Sequence, residues 1–253
     1  MTYKAIIFDY IGTLVEPRDY SLETSREKLH VALRQAGLEV DVSNFKEAYR
    51  SAHEKYRKVR YEKLREVTNA IWVSEALCNS GCKTTVKDSK LKEGLNIFFQ
   101  DFVDSLILRK HAKNLLRQVT KHGKVGLISN FTYAPAIYAS LRKLGLGNFF
   151  NAVVISESVG WRKPHRIIFE ETLKTLRINA GEAVYVGDSP VEDIGGAAAL
   201  GLKTVFVPSH FYSVEDLARC GEKPDVIVED LLDFSKVLPE VLKVPKTRLH
   251  HPT

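Results

Sequence analysis

Ala5-Ile6-Ile7-Phe8-Asp9-Tyr10-Ile11-Gly12-Thr13-Leu14 is a short apolar run that stops at one carboxylate and a Gly-Thr turn. A run of this length, rich in isoleucine and closed by a glycine, reads as a buried strand. A carboxylate at the end of such a strand is costly to place unless something pairs with it, so Asp9 points to a site. Gly12 lets the backbone approach a ligand closely, and Thr13 offers a hydroxyl beside it. Taken alone, the same residues also fit an aspartate that merely caps a turn.

Two later segments repeat the device, and a third adds a lysine. Lys124-Val125-Gly126-Leu127-Ile128-Ser129-Asn130 is a second buried-strand pattern that ends in a hydroxyl and an amide, and Ala183-Val184-Tyr185-Val186-Gly187-Asp188 is a third that ends in an aspartate. Asp193 follows at the start of a helix, where Ser189-Pro190-Val191-Glu192 fits a capping box with serine as N-cap, proline at the first helical position and glutamate reaching back. Gly201 closes that helix. Between the second and third strands, Gly160-Trp161-Arg162-Lys163-Pro164 places a lysine before a proline. Ligands of an open parallel sheet bind outside the carboxyl ends of its strands, where Asp9, Ser129 and Asp188 would meet. Three carboxylates, a hydroxyl and an ammonium at one rim suit a divalent cation and a phosphate.

In order and over nearly the whole chain, these segments resemble the motifs of the haloacid dehalogenase-like (HAD) hydrolases: Asp9-x-x-Gly12-Thr13-Leu14, Ser129-Asn130, Lys163-Pro164, and Gly187-Asp188 with Asp193. The resemblance implies a Rossmann-like α/β fold, a parallel sheet with helices on both faces. It implies that Asp9 is the nucleophile and forms an aspartyl-phosphate, with Ser129 and Lys163 as the other catalytic residues. Thr13, Ser129, Asn130 and Lys163 would bind substrate. Mg2+ would be held by Asp9, the backbone carbonyl of Ile11, Asp188 and Asp193. The expected activity is a magnesium-dependent phosphatase acting on a small phosphomonoester.

Ile11 departs from that pattern. Phosphatases of the family carry there a second aspartate, which protonates the leaving alcohol and then activates water. General acid-base assistance is worth about 100- to 10,000-fold in rate. Ile11 therefore implies a slow phosphatase, an acid borrowed from elsewhere, or a reaction that needs none. His165 and His210 are candidates for a borrowed acid, against the plainer reading of both as surface histidines. The similar 2-haloacid dehalogenases need no such acid, but their fourth motif uses serine and asparagine and binds no metal. Phosphonoacetaldehyde hydrolase keeps the metal yet needs a cap lysine, and Lys28, Lys46, Lys58 and Lys63 are not distinguished by sequence. A catalytically impaired phosphate-binding or interaction module is the alternative of another class; the surviving nucleophile, lysine and metal aspartates weigh against it.

After Leu14 about a hundred residues read as helical with no convincing strand, and from Lys110 helices and strands alternate, as in a parallel sheet covered on both faces. The expected division is a core of residues 1–14 and 110–253 with a helical insertion, residues 15–109, resembling the α-helical cap of HAD enzymes. The tail from Lys243 is expected to add little to the core. With 253 residues and 44% hydrophobic content, the chain can bury one substantial core and a smaller second unit. No segment approaches the roughly 20 apolar residues of a membrane span, and no signal-peptide layout is present, so a cytoplasmic enzyme is expected. Cys78, Cys82 and Cys220 cannot complete a four-ligand zinc site and read as reduced thiols.

The net charge of +6 is concentrated visibly between Lys46 and Arg65, where Arg50, Arg57, Lys58, Arg60, Lys63 and Arg65 interleave with Tyr49, Tyr56 and Tyr61. Phe45, Tyr49, Ala52, Tyr56 and Val59 nevertheless recur at helical spacing, so the tyrosines read as packing and not as a nucleic-acid surface. The charges are then a solvated face, with the alternative that some line a site entrance and attract an anionic metabolite. The expected partner is thus a small phosphorylated or otherwise anionic substrate, with no nucleic acid and no membrane.

Overall fold

The computed structural model describes residues 3–243. The chain begins with β1 (Ala5–Asp9) and β2 (Val15–Pro17), followed by helices α1 (Leu22–Gln35), α2 (Val42–Glu62), α3 (Asn69–Asn79) and α4 (Ser89–Ser105). It continues through β3 (Leu106–Leu108), α5 (Ala112–Val119), β4 (Lys124–Ser129), α6 (Ala134–Lys143), β5 (Ala152–Ile155), α7 (Ser156–Val159) and α8 (Arg166–Leu176). Then come β6 (Ala183–Gly187), a π-type turn Pro190–Gly195 running into α9 (Gly196–Ala198), β7 (Lys203–Phe206), α10 (Val214–Cys220), β8 (Val226–Ile227) and α11 (Leu231–Val241).

Six strands pair in parallel in the order β5-β4-β1-β6-β7-β8. Strand side chains alternate between faces, and both faces of β1 are apolar. Ile6 and Phe8 join one cluster with Leu115, Ile137 and Phe234, from α5, α6 and α11. Ala5 and Ile7 join another with Ile168, Phe169 and Leu173 of α8. Each fully buried side chain of this size contributes about 1.5–3 kcal/mol. This double burial explains why β1 reads as a continuous apolar run.

The insertion between β2 and β3 is helical, with one exception to the expectation. β2 and β3 pair antiparallel, Val15 opposite Leu108 and Pro17 opposite Leu106, where the chain enters and leaves the insertion. Strands this short carry no periodic signal; they pair because the two crossing segments lie side by side. Ser21, Asp41, Thr68 and Asp88 cap α1 to α4 through their side chains, each cap worth about 1 kcal/mol. Of the α2 stripe, Phe45 and Ala52 are buried, and Tyr49, Tyr56 and Val59 are partly buried against the same core.

Sequence patterning assigned nothing to α10 and α11. In α11, Leu231, Phe234, Leu238 and Val241 are buried at helical spacing, and the Phe234 ring meets Phe8 edge-on at 6.5 Å. The tail beyond Lys243 lies outside the described residues. No helix among the described residues is long and apolar enough to cross a membrane.

Candidate active site

β1 lies between β4 and β6, so the strand order reverses there and the crevice opens above its carboxyl end. Asp9 closes β1, Ser129 closes β4 one position beyond Asp9's neighbour Ile128, and Asp188 follows β6 directly. One oxygen each from Asp9, Asp188 and Asp193 lies within 4.8 Å of the others, and all three residues are buried. Lys163, 2% exposed, reaches this group from the loop before α8. Its Nζ donates to Asp9 Oδ1 at 2.7 Å and to Asp193 Oδ1 at 2.5 Å. Tyr185 Oη lies 3.2 Å from the same ammonium and donates to Asp193 Oδ1 at 2.9 Å.

The electrostatics suit a cation. Burial raises Asp9 to about 6, with Lys163 pulling it down and Asp193 pushing it up. Burial, reinforced by Asp9 and Asp193, raises Asp188 to about 8. For Lys163, burial favours the neutral form, but Asp193 and Asp9 outweigh it and hold the ammonium well above the ordinary lysine range. Three carboxylates face one ammonium, which leaves two negative charges for a divalent cation to balance. Asp9 Oδ2 is buried with no hydrogen-bond partner among the described residues, as a ligand atom would be. The donor set is all oxygen, which suits a hard ion such as Mg2+.

Two glycines make room for the aspartates. Gly12 has φ +100°, and a Cβ there would stand 2.2 Å from Asp188 Oδ2. A Cβ on Gly187 would stand 2.5 Å from Asp193 Oδ2.

Residues 3–201 match the haloacid dehalogenase-like hydrolase family. The chain belongs to that family. It is 29% identical to the glyceraldehyde 3-phosphate phosphatase of Methanopyrus kandleri over 95% of this chain and 99% of the relative. Among solved structures it resembles the 2-haloacid dehalogenase of Pseudomonas syringae (TM-score 0.60, 22% identity, 95% of this chain and 98% of that one). It also resembles the HAD phosphatase of Thermococcus onnurineus (TM-score 0.53, 19% identity, 93% and 97% of the two chains). At these identities the two structures establish the HAD fold alone.

Several of the predicted residues also bond within the protein. Ser129 lines the crevice beside Asp9 and Lys163. Asn130 turns its amide to the protein: Oδ1 accepts from Lys163 N at 2.8 Å, and Nδ2 donates to Lys163 O and to Glu192 Oε2, both at 3.0 Å. It therefore holds the lysine segment. Thr13 Oγ1 donates to Asp188 Oδ1 at 3.3 Å and so orients a carboxylate. The capping box is rewired. Ser189 Oγ accepts from Glu192 N at 3.3 Å, but the reciprocal bond comes from Asp193, whose Oδ2 accepts from Ser189 N at 2.9 Å. Glu192 is drawn away by Arg162 Nη2, 3.0 Å from its Oε1. The π-type winding, one residue wider than an α-turn, brings Asp193 to the N-cap.

Four supporting residues carried no sequence signal. Tyr185 reads as a core residue of β6. Ser209 Oγ donates to Asp188 Oδ2 at 2.5 Å from the loop after β7. Arg109 donates from Nη1 to Gly12 O at 2.5 Å and from Nη2 to Pro208 O at 2.8 Å, tying the loops after β1 and β7 together. Glu66, whose side chain is fully buried, accepts from Arg60 Nε and Ser156 Oγ at 2.6 Å and lies 3.7 Å from Arg162 Nη1. Arg60, Glu66, Arg162, Glu192 and Asn130 thus form a polar chain from α2 to the backbone of Lys163.

Above the aspartates lies a cavity of about 900 Å3 between the sheet edge and α1 to α4. Ile11 lines it, half-buried, with no acid in its place. His210 also lines it, 46% exposed, whereas His165 caps α8 and stacks on Trp161 at 3.7 Å. The basic stretch of α2 divides: Arg50, Lys58 and Lys63 are solvated, and Arg57 and Arg60 line the cavity together with Arg26.

Proposed function

We propose that this protein is a magnesium-dependent phosphomonoesterase that works through an aspartyl-phosphate on Asp9. The observation that carries this reading is Lys163, bridging Asp9 and Asp193 beside Asp188 at the floor of a cavity rimmed by arginines. The name of the Methanopyrus relative, a phosphatase of a small sugar phosphate, supports it.

Asp9, Asp188 and Asp193 would hold Mg2+, with the Ile11 carbonyl as a further oxygen, and the bound cation supplies charge neutralisation at the phosphate and at the nucleophile. Lys163 lowers the repulsion between the Asp9 carboxylate and the anionic phosphate, and Ser129 offers a hydroxyl to a phosphoryl oxygen. An Asp9 carboxylate oxygen attacks phosphorus, the ester P–O bond breaks, and the alcohol leaves with its electron pair; water then cleaves the acyl phosphate and regenerates Asp9. The leaving alkoxide needs a proton that Ile11 cannot give. His210 and Asp19, which line the same cavity, are the candidate donors, and without such help the enzyme is slow on alkyl phosphates and fast on acidic leaving groups. The helices α1 to α4 act as a cap that closes the cavity from water and selects the alcohol. The three aspartates argue against 2-haloacid dehalogenation, which needs no cation.

Hydrolysis of p-nitrophenyl phosphate tests the reading, because p-nitrophenolate departs without a proton. Turnover that requires Mg2+, stops in EDTA and is abolished in Asp9→Asn is the expected result. Turnover surviving Asp9→Asn, or none at all with saturating Mg2+, refutes it.

A further inference from the structure

Lys163 bonds two of the three clustered aspartates, Asp9 and Asp193. Asp188 is held differently. Among the described residues its hydrogen bonds come from two hydroxyls, Thr13 Oγ1 to Oδ1 at 3.3 Å and Ser209 Oγ to Oδ2 at 2.5 Å. A hydroxyl bond to oxygen is ordinarily about 2.7–2.8 Å long, so the Thr13 bond is loose and the Ser209 bond tight. Asp188 Oδ2 also fills the space in front of Gly12, 2.2 Å from where a Cβ would stand. The carboxylate is 3% exposed, and Ser209 is the contact that fixes its orientation most firmly.

The same serine organises the loop between β7 and α10. Its Oγ accepts from Phe211 N at 3.0 Å and from Tyr212 N at 3.3 Å, and its own N–H donates to Tyr212 O at 2.9 Å. The hydroxyl has one proton, which goes to Asp188, and its lone pairs go to the loop. His210, Phe211 and Tyr212, the residues folded around it, line the cavity. Phe211 and Tyr212 are 47% and 37% exposed, so little apolar burial holds the turn. Arg109 Nη2 bonds Pro208 O at the start of the loop, and His210 Nδ1 lies 3.9 Å from Glu16 Oε2. The tip of the loop thus depends on Asp188 standing where Ser209 can reach it.

Resting on the cation reading of the same site, we propose that Ser209 is a positioning residue that couples the cation to the cavity wall. It sets Asp188 for Mg2+ and, through the same hydroxyl, folds residues 208–212 beside the substrate. The bound cation and the ordered loop require one orientation of Asp188, so each stabilises the other, and the coupling is reciprocal.

The test reads Mg2+ binding to the full chain without substrate, by titration calorimetry of wild type, Ser209→Ala and Ser209→Thr, with Tm in EDTA as the folding control. Residues that orient a metal ligand commonly contribute about 10- to 100-fold in affinity, so Ser209→Ala should raise the Mg2+ Kd about ten-fold or more. Ser209→Thr keeps the hydroxyl and should stay within about three-fold of wild type. Chymotrypsin reads the loop. Scission after Phe211 or Tyr212, identified by mass spectrometry, should slow about five-fold or more when Mg2+ is added to wild type, and Mg2+ should not alter it in Ser209→Ala. A serine that only supports the fold would lower Tm in EDTA and leave both the Kd and the Mg2+ effect on scission as in wild type, and that result overturns the proposal. Should Ser209→Ala not fold, wild-type scission decides: no slowing by bound Mg2+ overturns the coupling. Wild type that binds no Mg2+ overturns the cation reading and this inference together. Wild type that binds Mg2+ and turns over p-nitrophenyl phosphate, with the Kd unmoved in Ser209→Ala, overturns this inference alone.

Discussion

Replacing Ile11 with aspartate puts a titratable group two residues beyond Asp9, at a half-buried position on the cavity wall. The nearby carboxylates Asp9, pushed upward by burial and Asp193, and Asp188, pushed upward by burial, Asp9 and Asp193, disfavour another negative charge there. The new carboxyl therefore tends to keep its proton, as a general acid must. Restored acid-base assistance of about 100- to 10,000-fold lowers the barrier by about 3 to 5 kcal/mol. Ile11 is only partly buried against the core, so losing its apolar contact costs about 1 to 1.5 kcal/mol, a few degrees in Tm for a chain of this size. The variant stays folded. The assay is kcat/KM across a series of phosphomonoesters of graded leaving-group pKa, wild type against Ile11→Asp, with Tm as the folding control. Glycerol phosphate should gain by two orders of magnitude or more, p-nitrophenyl phosphate should barely change, and the dependence on leaving-group pKa should flatten. A folded variant with no gain on alkyl phosphates, or with equal gain on both substrates, refutes the view that the missing proton donor limits this enzyme.

The raised carboxylates make a pH prediction. Folded-state values above the unfolded ones give a stability contribution that is full below about pH 4 and is lost as pH rises through about 6 and then about 8, so Tm in EDTA falls across that window. Mg2+ should restore more Tm at the alkaline end, and a flat profile in EDTA would contradict the assignment. Gly12→Ala adds a Cβ 2.2 Å from Asp188 Oδ2 at φ +100°, so about 1–3 kcal/mol of backbone strain is joined by displacement of the Asp188 carboxylate. Its kcat should fall at least 100-fold, and wild-type turnover would sink the packing argument. Glu66→Ala leaves Arg162, 4% exposed, with Glu192 as its one carboxylate partner among the described residues and should cost about 3 kcal/mol by urea unfolding. Glu66→Gln, which keeps an acceptor for Ser156 and Arg60, should cost clearly less; equal losses would mean that the lost charge, and not the lost acceptor, sets the cost.

The sequence by itself determined the sheet and where its chemistry stands. Strands buried on both faces must be continuous apolar runs, so the residue that breaks each run, Asp9, Ser129 or Asp188, marks its carboxyl end, and parallel pairing then gathers those ends on one rim. Gly12 and Gly187 were legible for the same local reason. The tertiary structure alone decided what holds those residues in place. Tyr185 looks like any core aromatic of β6 until Lys163, from another loop, ends against its hydroxyl. Arg109 becomes a clamp because the ribbon of β2 and β3 returns the chain beside Gly12, and Glu66 becomes a keystone because the loop after α2 lies on the segment that carries Arg162 and Lys163. Periodicity in sequence reports the face a residue presents within its own element; it carries no record of which distant element will cover that face. The same limit assigned the α2 arginines mainly to solvent, although Arg57 and Arg60 line the cavity.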